Sequence, residues 1–254
     1  MVSAARTAAD FIRRRAADRA GLEWRVKAPS DFVSDVDMGA ERLIRDAFSA
    51  SVPDARVMGE ELSPDAALDA RTVFVVDPLD GTTNFLHGYP EYAVSIAAVL
   101  DGVLAAGVVL NVASGELFTG ALGHGAFRNG EAIAVSPVQE PARALIGTGF
   151  PFRQHDVLPA YLRQLDAVSR ATAGVRRAGS AALDLCDVAC GRFEAFWELT
   201  LSPWDFAAGT LIIREAGGVV TTVPGGDVPI APSSILAGSP AMHQWLLETL
   251  TTSS

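Results

Sequence analysis

The sequence predicts an α/β protein of stacked helical and sheet layers, with an antiparallel-rich sheet in its first part. Three observations predict it. Residues 34–50 repeat apolar positions with a helical period, Leu43, Ile44, Ala47 and Phe48 marking one face. Residues 72–121 switch to β-branched runs broken by the Asp101-Gly102 pair, a hairpin signature. From about Ser136, short apolar runs alternate with longer helical patterns, the order that layers strands against helices.

In chain order, an amphipathic helix runs to about Ala20 and a second from about Ser34 to Ala50. A short strand precedes Gly59. Thr72 to Val76 reads as a buried strand that Pro78 ends, since proline brings no N–H to a ladder. Tyr92 to Leu100 and Val103 to Leu110 pair as a hairpin, followed by Glu116 to Ala121 and a turn at Asn129-Gly130. Then come a strand at Ala144 to Gly147, a helix at Val157 to Ala171, a strand at Val175 to Arg177 and a helix at Ser180 to Cys190. Phe193 to Trp197 continues as a strand, and Pro203 to Ala216 as a helix stopped by Gly217-Gly218. Val219 to Val223 and Ile235 to Ala237 close the pattern before a last helix from Ala241 to Leu250. No repeat or linker interrupts the chain, so residues 1–254 are expected to form one unit of two tightly joined lobes, about 1–135 and about 136–254.

Composition narrows the function classes. Hydrophobic residues make up 49% and charged residues 20%, which excludes a disordered chain. A formal net charge of −10 argues against a nucleic-acid groove and allows acidic clusters that hold cations. Of the 20 basic residues Lys27 is the only lysine, a compact charge in a chain that otherwise uses arginine. The N-terminus lacks the continuous apolar run of a signal peptide, and no stretch reaches membrane-spanning length, so a cytoplasmic location is expected. Cys186 and Cys190 lie in an apolar helical pattern and read as buried thiols.

Chemistry concentrates in three acidic elements. Val75 to Phe85 reads VVDPLDGTTNF, in which Asp77 and Asp80 flank a Pro-set turn and can converge on one point. Gly81-Thr82-Thr83 can open a short helix whose free N–H groups favour a phosphate. Glu60 and Glu61 follow a short strand and Gly59. Asp205 lies in the first turn of a helix, where it reads either as a ligand or as the N3 acid of a capping box with Ser202. Four carboxylates gathered together raise one another's pKa values unless countercharge is supplied, and an oxygen-only set points to Mg²⁺. His87, His124, His155 and His243 show no ligand spacing and read as surface or structural residues.

These motifs together resemble the inositol monophosphatase family, Mg²⁺-dependent, lithium-sensitive phosphomonoesterases. The match runs through GEE at 59–61, DPLDGTTNF at 77–85, GAFRNG at 125–130, GSAA at 179–182, WDFAAG at 204–209 and EAGG at 215–218, in the family's order. The resemblance implies an α/β/α/β/α sandwich of the sugar-phosphatase type with a second, mixed sheet. It makes the first lobe the metal and phosphate half and the second the substrate half. It implies one metal site at Glu60, Asp77 and the Leu79 carbonyl, another at Asp77, Asp80 and Asp205, and a looser third ion relying on Glu60 and waters. By the same resemblance Thr82 and Asp37 orient the attacking water, the N–H groups of Gly81 and Thr82 cradle the phosphate, and Ala181, Glu198 and Asp205 hold the substrate. Asp37 also reads as the first-turn acid of its helix, and Glu198 as a surface acid at a strand end. Lys27 resembles a family lysine near the metal site and is not counted as catalytic.

The expected reaction is hydrolysis of a phosphate monoester, myo-inositol-1-phosphate first, by in-line attack of water with two or three Mg²⁺ ions and no covalent phosphoenzyme. Histidinol phosphate, fructose-1,6-bisphosphate and adenosine 3′,5′-bisphosphate are the substrates of related phosphatases with the same site. The family also implies a homodimer. The rival reading is a non-catalytic regulator on the same fold that binds RNA or the transcription machinery; the complete ligand set argues against it, and the net charge argues against direct RNA binding.

Overall fold

The computed structural model describes residues 1–18, 24–28, 31–152, 154 and 156–253, with the backbone alone for 24–28 and 31–34. In chain order the elements are α1 Val2–Ala16, β1 Trp24–Ala28, β2 Asp31–Ser34, α2 Asp35–Ser51, β3 Arg56–Gly59, β4 Thr72–Asp80, α3 Thr82–His87, β5 Ala93–Leu100, β6 Val103–Asn111, β7 Leu117–Ala121, β8 Ala126–Arg128 and β9 Glu131–Ala132. The rest are β10 Leu145–Thr148, α4 Leu158–Ala171, β11 Gly174–Arg176, α5 Ala181–Ala189, β12 Ala195–Leu201, α6 Pro203–Glu215, β13 Val219–Thr221, β14 Ser233–Gly238 and α7 Pro240–Thr252.

A seven-stranded sheet runs β3 to β9 in sequence order, antiparallel except for the parallel β3–β4 pair. A five-stranded mixed sheet has the order β11-β10-β12-β14-β13. Side-chain alternation on β4 shows how the layers form. Phe74 and Val76 join Ile12, Ile44 and Phe48 of α1 and α2 on one face, while Val73 and Val75 join Leu185 and Phe206 of α5 and α6 on the other. Burial on both faces is why this strand reads as a continuous apolar run. The second sheet turns Phe196, Ile235 and Ala237 to α5 and α6, and Ile146, Trp197 and Leu236 to α4 and α7. The order is therefore helices, sheet, helices, sheet, helices. α6 lies close against the first sheet at Gly107 of β6, where a Cβ would lie 2.7 Å from the Ala208 carbonyl oxygen.

Two expectations need correction, and one strand pair was not foreseen. The first helix ends at Ala16, short of Ala20, a residue outside those described. β4 does not stop before Pro78 but continues to Asp80, because a bulge between Asp77 and Asp80 takes the proline where no ladder N–H is needed. The antiparallel β1–β2 pair carried no hairpin signal. The turns were legible: Asp101 and Asn129 hold φ of 48° and 52°, each followed by a glycine of positive φ.

Candidate active site

A cleft of about 620 Å³ opens at the end of β4, between the start of α5 and the start of α6. Its wall contains Glu60, Asp77, Leu79, Asp80, Gly81, Thr82, Ala181, Glu198 and Asp205. Of the residues expected from sequence, Asp37 alone stands behind the wall, buried at 1% exposure.

The bulge in β4 aims the two aspartates. Asp77 pairs with Ser95 and Asp80 with Ala93, so three steps along β4 match two along β5. Ser95 and Ala93 share a face, and their partners therefore do so as well. The Leu79 N–H donates to Asp77 Oδ1 at 2.9 Å, fixing the carboxylate within the bulge. Burial raises the Asp77 pKa well above the ordinary range, and the charges of Glu60, Asp80 and Asp205 raise it further. Asp80 is also raised by burial, against hydrogen bonds from the Ser180 hydroxyl at 2.5 Å and the Ala182 N–H at 2.8 Å. Ser180 is the N-cap of α5, so this acid ties the first sheet to the second half of the chain.

Thr82 links the cleft to Asp37. Its hydroxyl donates to Asp37 Oδ1 at 2.8 Å and lies 3.1 Å from the Leu79 carbonyl oxygen. A hydroxyl whose proton is given to a buried carboxylate turns its lone pairs outward as acceptors. Gly81 begins the short helix with φ of 89°, which a residue with a Cβ adopts only under strain, and that Cβ would lie 2.7 Å from the Glu91 carbonyl oxygen.

Glu60 is carried by a loop whose anchor was missed in the sequence. Glu41 of α2 is fully buried, and its carboxylate accepts from the N–H groups of Glu61 at 2.8 Å and Leu62 at 3.2 Å. From sequence it reads as an ordinary helix acid four residues before Arg45. Asp205 takes the capping role and also lines the cleft. Its Oδ2 accepts from the Ser202 N–H at 2.7 Å in a capping box, while its charge acts on Asp77. Asp80 and Asp205 are both engaged in these hydrogen bonds, and among the described residues no three His, Cys, Asp or Glu side chains close on a single point. All four carboxylates nonetheless line the same cleft, where the charges of Glu60, Asp80 and Asp205 bear on Asp77. An oxygen-only set of neighbouring carboxylates fits a hard divalent cation.

Away from these acids, the cleft is walled by Glu198, Ala181, Asp184, Arg177, Phe150 and Phe152. Glu198 lies within β12 rather than at a strand end. Arg177 is the only cation among the described residues of a wall that holds Glu60, Asp77, Asp80, Asp184, Glu198 and Asp205. Its guanidinium carbon lies 5.0 Å from the Phe152 ring centre and 5.7 Å from that of Phe150. The signal for it was indirect: an acidic chain acting on an anion needs a cation nearby. Tyr161, behind Phe150, has its pKa pushed up to about 12 by burial and hydrogen-bonds Thr148 at 3.1 Å. The Lys27 side chain and His155 lie outside the described residues. His243 packs against Thr221, and Cys186 and Cys190 are free thiols, neither group lining the cleft.

A sequence model described as the inositol monophosphatase family matches residues 1–254. Inositol-1-monophosphatase of Rhizobium meliloti is 41% identical over 98% of this chain and 94% of its own length. Nus factor SuhB of Pseudomonas aeruginosa is 43% identical over 97% of this chain and 93% of its own. Among solved structures, the extragenic suppressor protein suhB from Bartonella henselae superposes with a TM-score of 0.93 at 40% identity, covering 100% of this chain and 98% of that one.

Proposed function

The chain belongs to the inositol monophosphatase family, and from that premise we propose that it hydrolyses phosphate monoesters of polyols with Mg²⁺, myo-inositol-1-phosphate first among them. The observation that carries the reading is the meeting of Glu60, Asp77, Asp80 and Asp205 in one cleft with Thr82 and Gly81. Glu60, Asp77 and the Leu79 carbonyl would hold one ion, and Asp77, Asp80 and Asp205 another, with a looser third ion at Glu60. When bound there, the ions supply positive charge that eases deprotonation of water and neutralises the phosphoryl and leaving oxygens.

The chain's own groups do the remaining work. Thr82 accepts a hydrogen bond from the attacking water while giving its own proton to Asp37, so the water is oriented toward the phosphorus. The N–H groups of Gly81 and Thr82 face the phosphoryl oxygens. Glu198 accepts from substrate hydroxyls and the Ala181 backbone meets the polyol, so the leaving oxygen is fixed opposite the water. Asp205 closes the same side. Arg177 draws the anion into an otherwise acidic cleft.

Phosphate release from myo-inositol-1-phosphate, followed across a magnesium titration, tests this reading. Release that needs magnesium supports it, and an Asp80→Asn variant with full activity at low magnesium sinks it. Glu198→Gln, compared on inositol phosphate, histidinol phosphate, fructose-1,6-bisphosphate and adenosine 3′,5′-bisphosphate, is expected to lose the polyol substrate selectively. A second reading rests on the relative named Nus factor SuhB: a regulator that binds RNA or the transcription machinery. A gel shift with structured RNA that weakens steeply as salt rises would favour it.

A further inference from the structure

Arg177 shares the cleft wall with Asp80, Asp184 and Glu198, yet it pairs with none of them. It closes no ion pair with a described acid and donates a hydrogen bond to no described residue. A guanidinium only donates, and beside so many carboxylates it is expected to close on one of them as a bidentate pair. The attraction is present: burial raises Asp80 and Asp184, and the Arg177 charge opposes that rise in both. Something else holds the group in place.

Two phenyl rings do so. The guanidinium carbon lies over Phe152 at 5.0 Å and over Phe150 at 5.7 Å, within reach of a cation–π contact. The rings are themselves fixed. Phe150 and Phe152 meet edge to face with centres 5.5 Å apart, Phe150 meets buried Tyr161 in the same way at 5.7 Å, and Tyr161 stacks on buried Trp197 at 5.9 Å. An aromatic chain thus runs from the core to the cleft wall and ends at the guanidinium. Gly179 leaves room for it, since a Cβ there would stand 2.6 Å from Arg177 Nη1. The backbone between the two is held as well, because Asn84 of α3 donates to the Ala178 carbonyl at 2.9 Å. Phe150 and Phe152 remain 37% and 46% exposed, so burial does not account for their placement. A cation held against ring faces, by contrast, keeps its N–H donors for an anion.

We propose that Phe150 and Phe152 are positioning residues: they hold Arg177 off the acidic wall, so that its guanidinium meets the incoming phosphate monoester instead of a cleft carboxylate. This rests on the phosphatase reading and deepens it by saying how a cation stays available among acids. The rings act through Arg177 and take no part in the displacement.

The test is a double-mutant cycle between Phe152 and Arg177, read as kcat and KM on myo-inositol-1-phosphate with saturating magnesium. Phe152→Ala is expected to raise KM about three- to tenfold with kcat changed by less than about twofold, the pattern of a lost contact that binds ester and transition state alike. Arg177→Gln is expected to raise KM at least as far. In the Arg177→Gln background the alanine change should then add less than about twofold, because the ring has no cation left to hold. Phe152→Tyr keeps the ring face and should stay near wild type, whereas Phe152→Leu keeps apolar bulk alone and should fall with alanine. Calorimetric binding of inorganic phosphate in magnesium buffer should follow the same order across the variants. Losses that add in the double variant, or a leucine variant equal to wild type, overturn the inference and make the rings a direct contact for the leaving group or plain packing. Should Phe152→Ala fail to fold, Phe152→Leu completes the cycle and is judged in the same way. A wild type that releases no phosphate with magnesium defeats the phosphatase reading instead; equal affinity for inorganic phosphate in wild type and Phe152→Leu then overturns the placement of Arg177 by itself.

Discussion

A single hydroxyl separates Thr82 from any residue that would merely fill its place. Thr82→Ala leaves buried Asp37 without its 2.8 Å donor and the water without its acceptor, so kcat is expected to fall by about a hundredfold or more with KM little changed. Thr82→Ser keeps the hydroxyl and should keep most of the activity. Steady-state kinetics on inositol-1-phosphate decides it: a serine variant as poor as the alanine one would mean that the methyl group, not the hydrogen bond, matters. Asp205 shows that one carboxylate can cap a helix and face a cleft at once. The capping pattern and the acidic motif in the sequence were both readable, and neither excluded the other. Glu41 was not readable, since it stands where it pairs with an arginine on its own helix. The N–H groups it receives, of Glu61 and Leu62, lie 20 and 21 residues further along the chain.

At the scale of elements, what matters is how a strand end or loop is held at the cleft. The loop after β3 offers the cleanest case. Glu41 receives two of its N–H groups, and a Cβ on Gly59 would stand 2.1 Å from Glu41 Oε1, so the strand end and the buried acid fit only because that residue is glycine. Gly59→Ala should therefore push Glu41 off the loop that carries Glu60. Its expected signature is a weaker magnesium dependence curve, shifted to higher concentration, together with a lower midpoint of thermal unfolding. Glu41→Gln should cost about 1.5–3 kcal/mol, the range for hydrogen bonds to a charged group, because the amide accepts through one oxygen only. A chemical-denaturation midpoint unchanged in Glu41→Gln would show that the loop is held by other contacts. The β4 bulge carries the contrasting lesson. Pro78 is a reliable sign that a regular ladder fails, but the chain answers with an extra residue instead of a turn, and only the register against Ser95 and Ala93 reveals that both aspartates then face the same way.

For the whole molecule, the layers of helix and sheet were readable because apolar period and turn residues are local signals, whereas the order of the five-stranded sheet depends on pairing between distant strands. The same architecture gathers like charges. Asp77 is raised by burial and by Glu60, Asp80 and Asp205, and Asp80 by burial, so the folded state without metal holds protons that the unfolded chain has released. Where the native state binds more protons, stability falls as pH rises. The magnesium-free protein thus gains stability from these groups as pH drops from above their raised values toward the ordinary carboxylate value of 3.8, and loses that gain as pH rises back through them. Magnesium supplies the missing countercharge and competes with those protons. At about a hundred times its Kd it is expected to add about 2.7 kcal/mol per site, roughly 5–10 °C in unfolding midpoint for a chain of this size. That increment should shrink as pH is lowered from about 8 to about 5, with the two melting curves converging from the neutral side. In Asp77→Asn both the increment and its pH dependence should collapse. Thermal unfolding with magnesium and with chelator over that pH range is the measurement, and an increment that stays constant with pH would mean that no proton leaves these carboxylates when the metal binds.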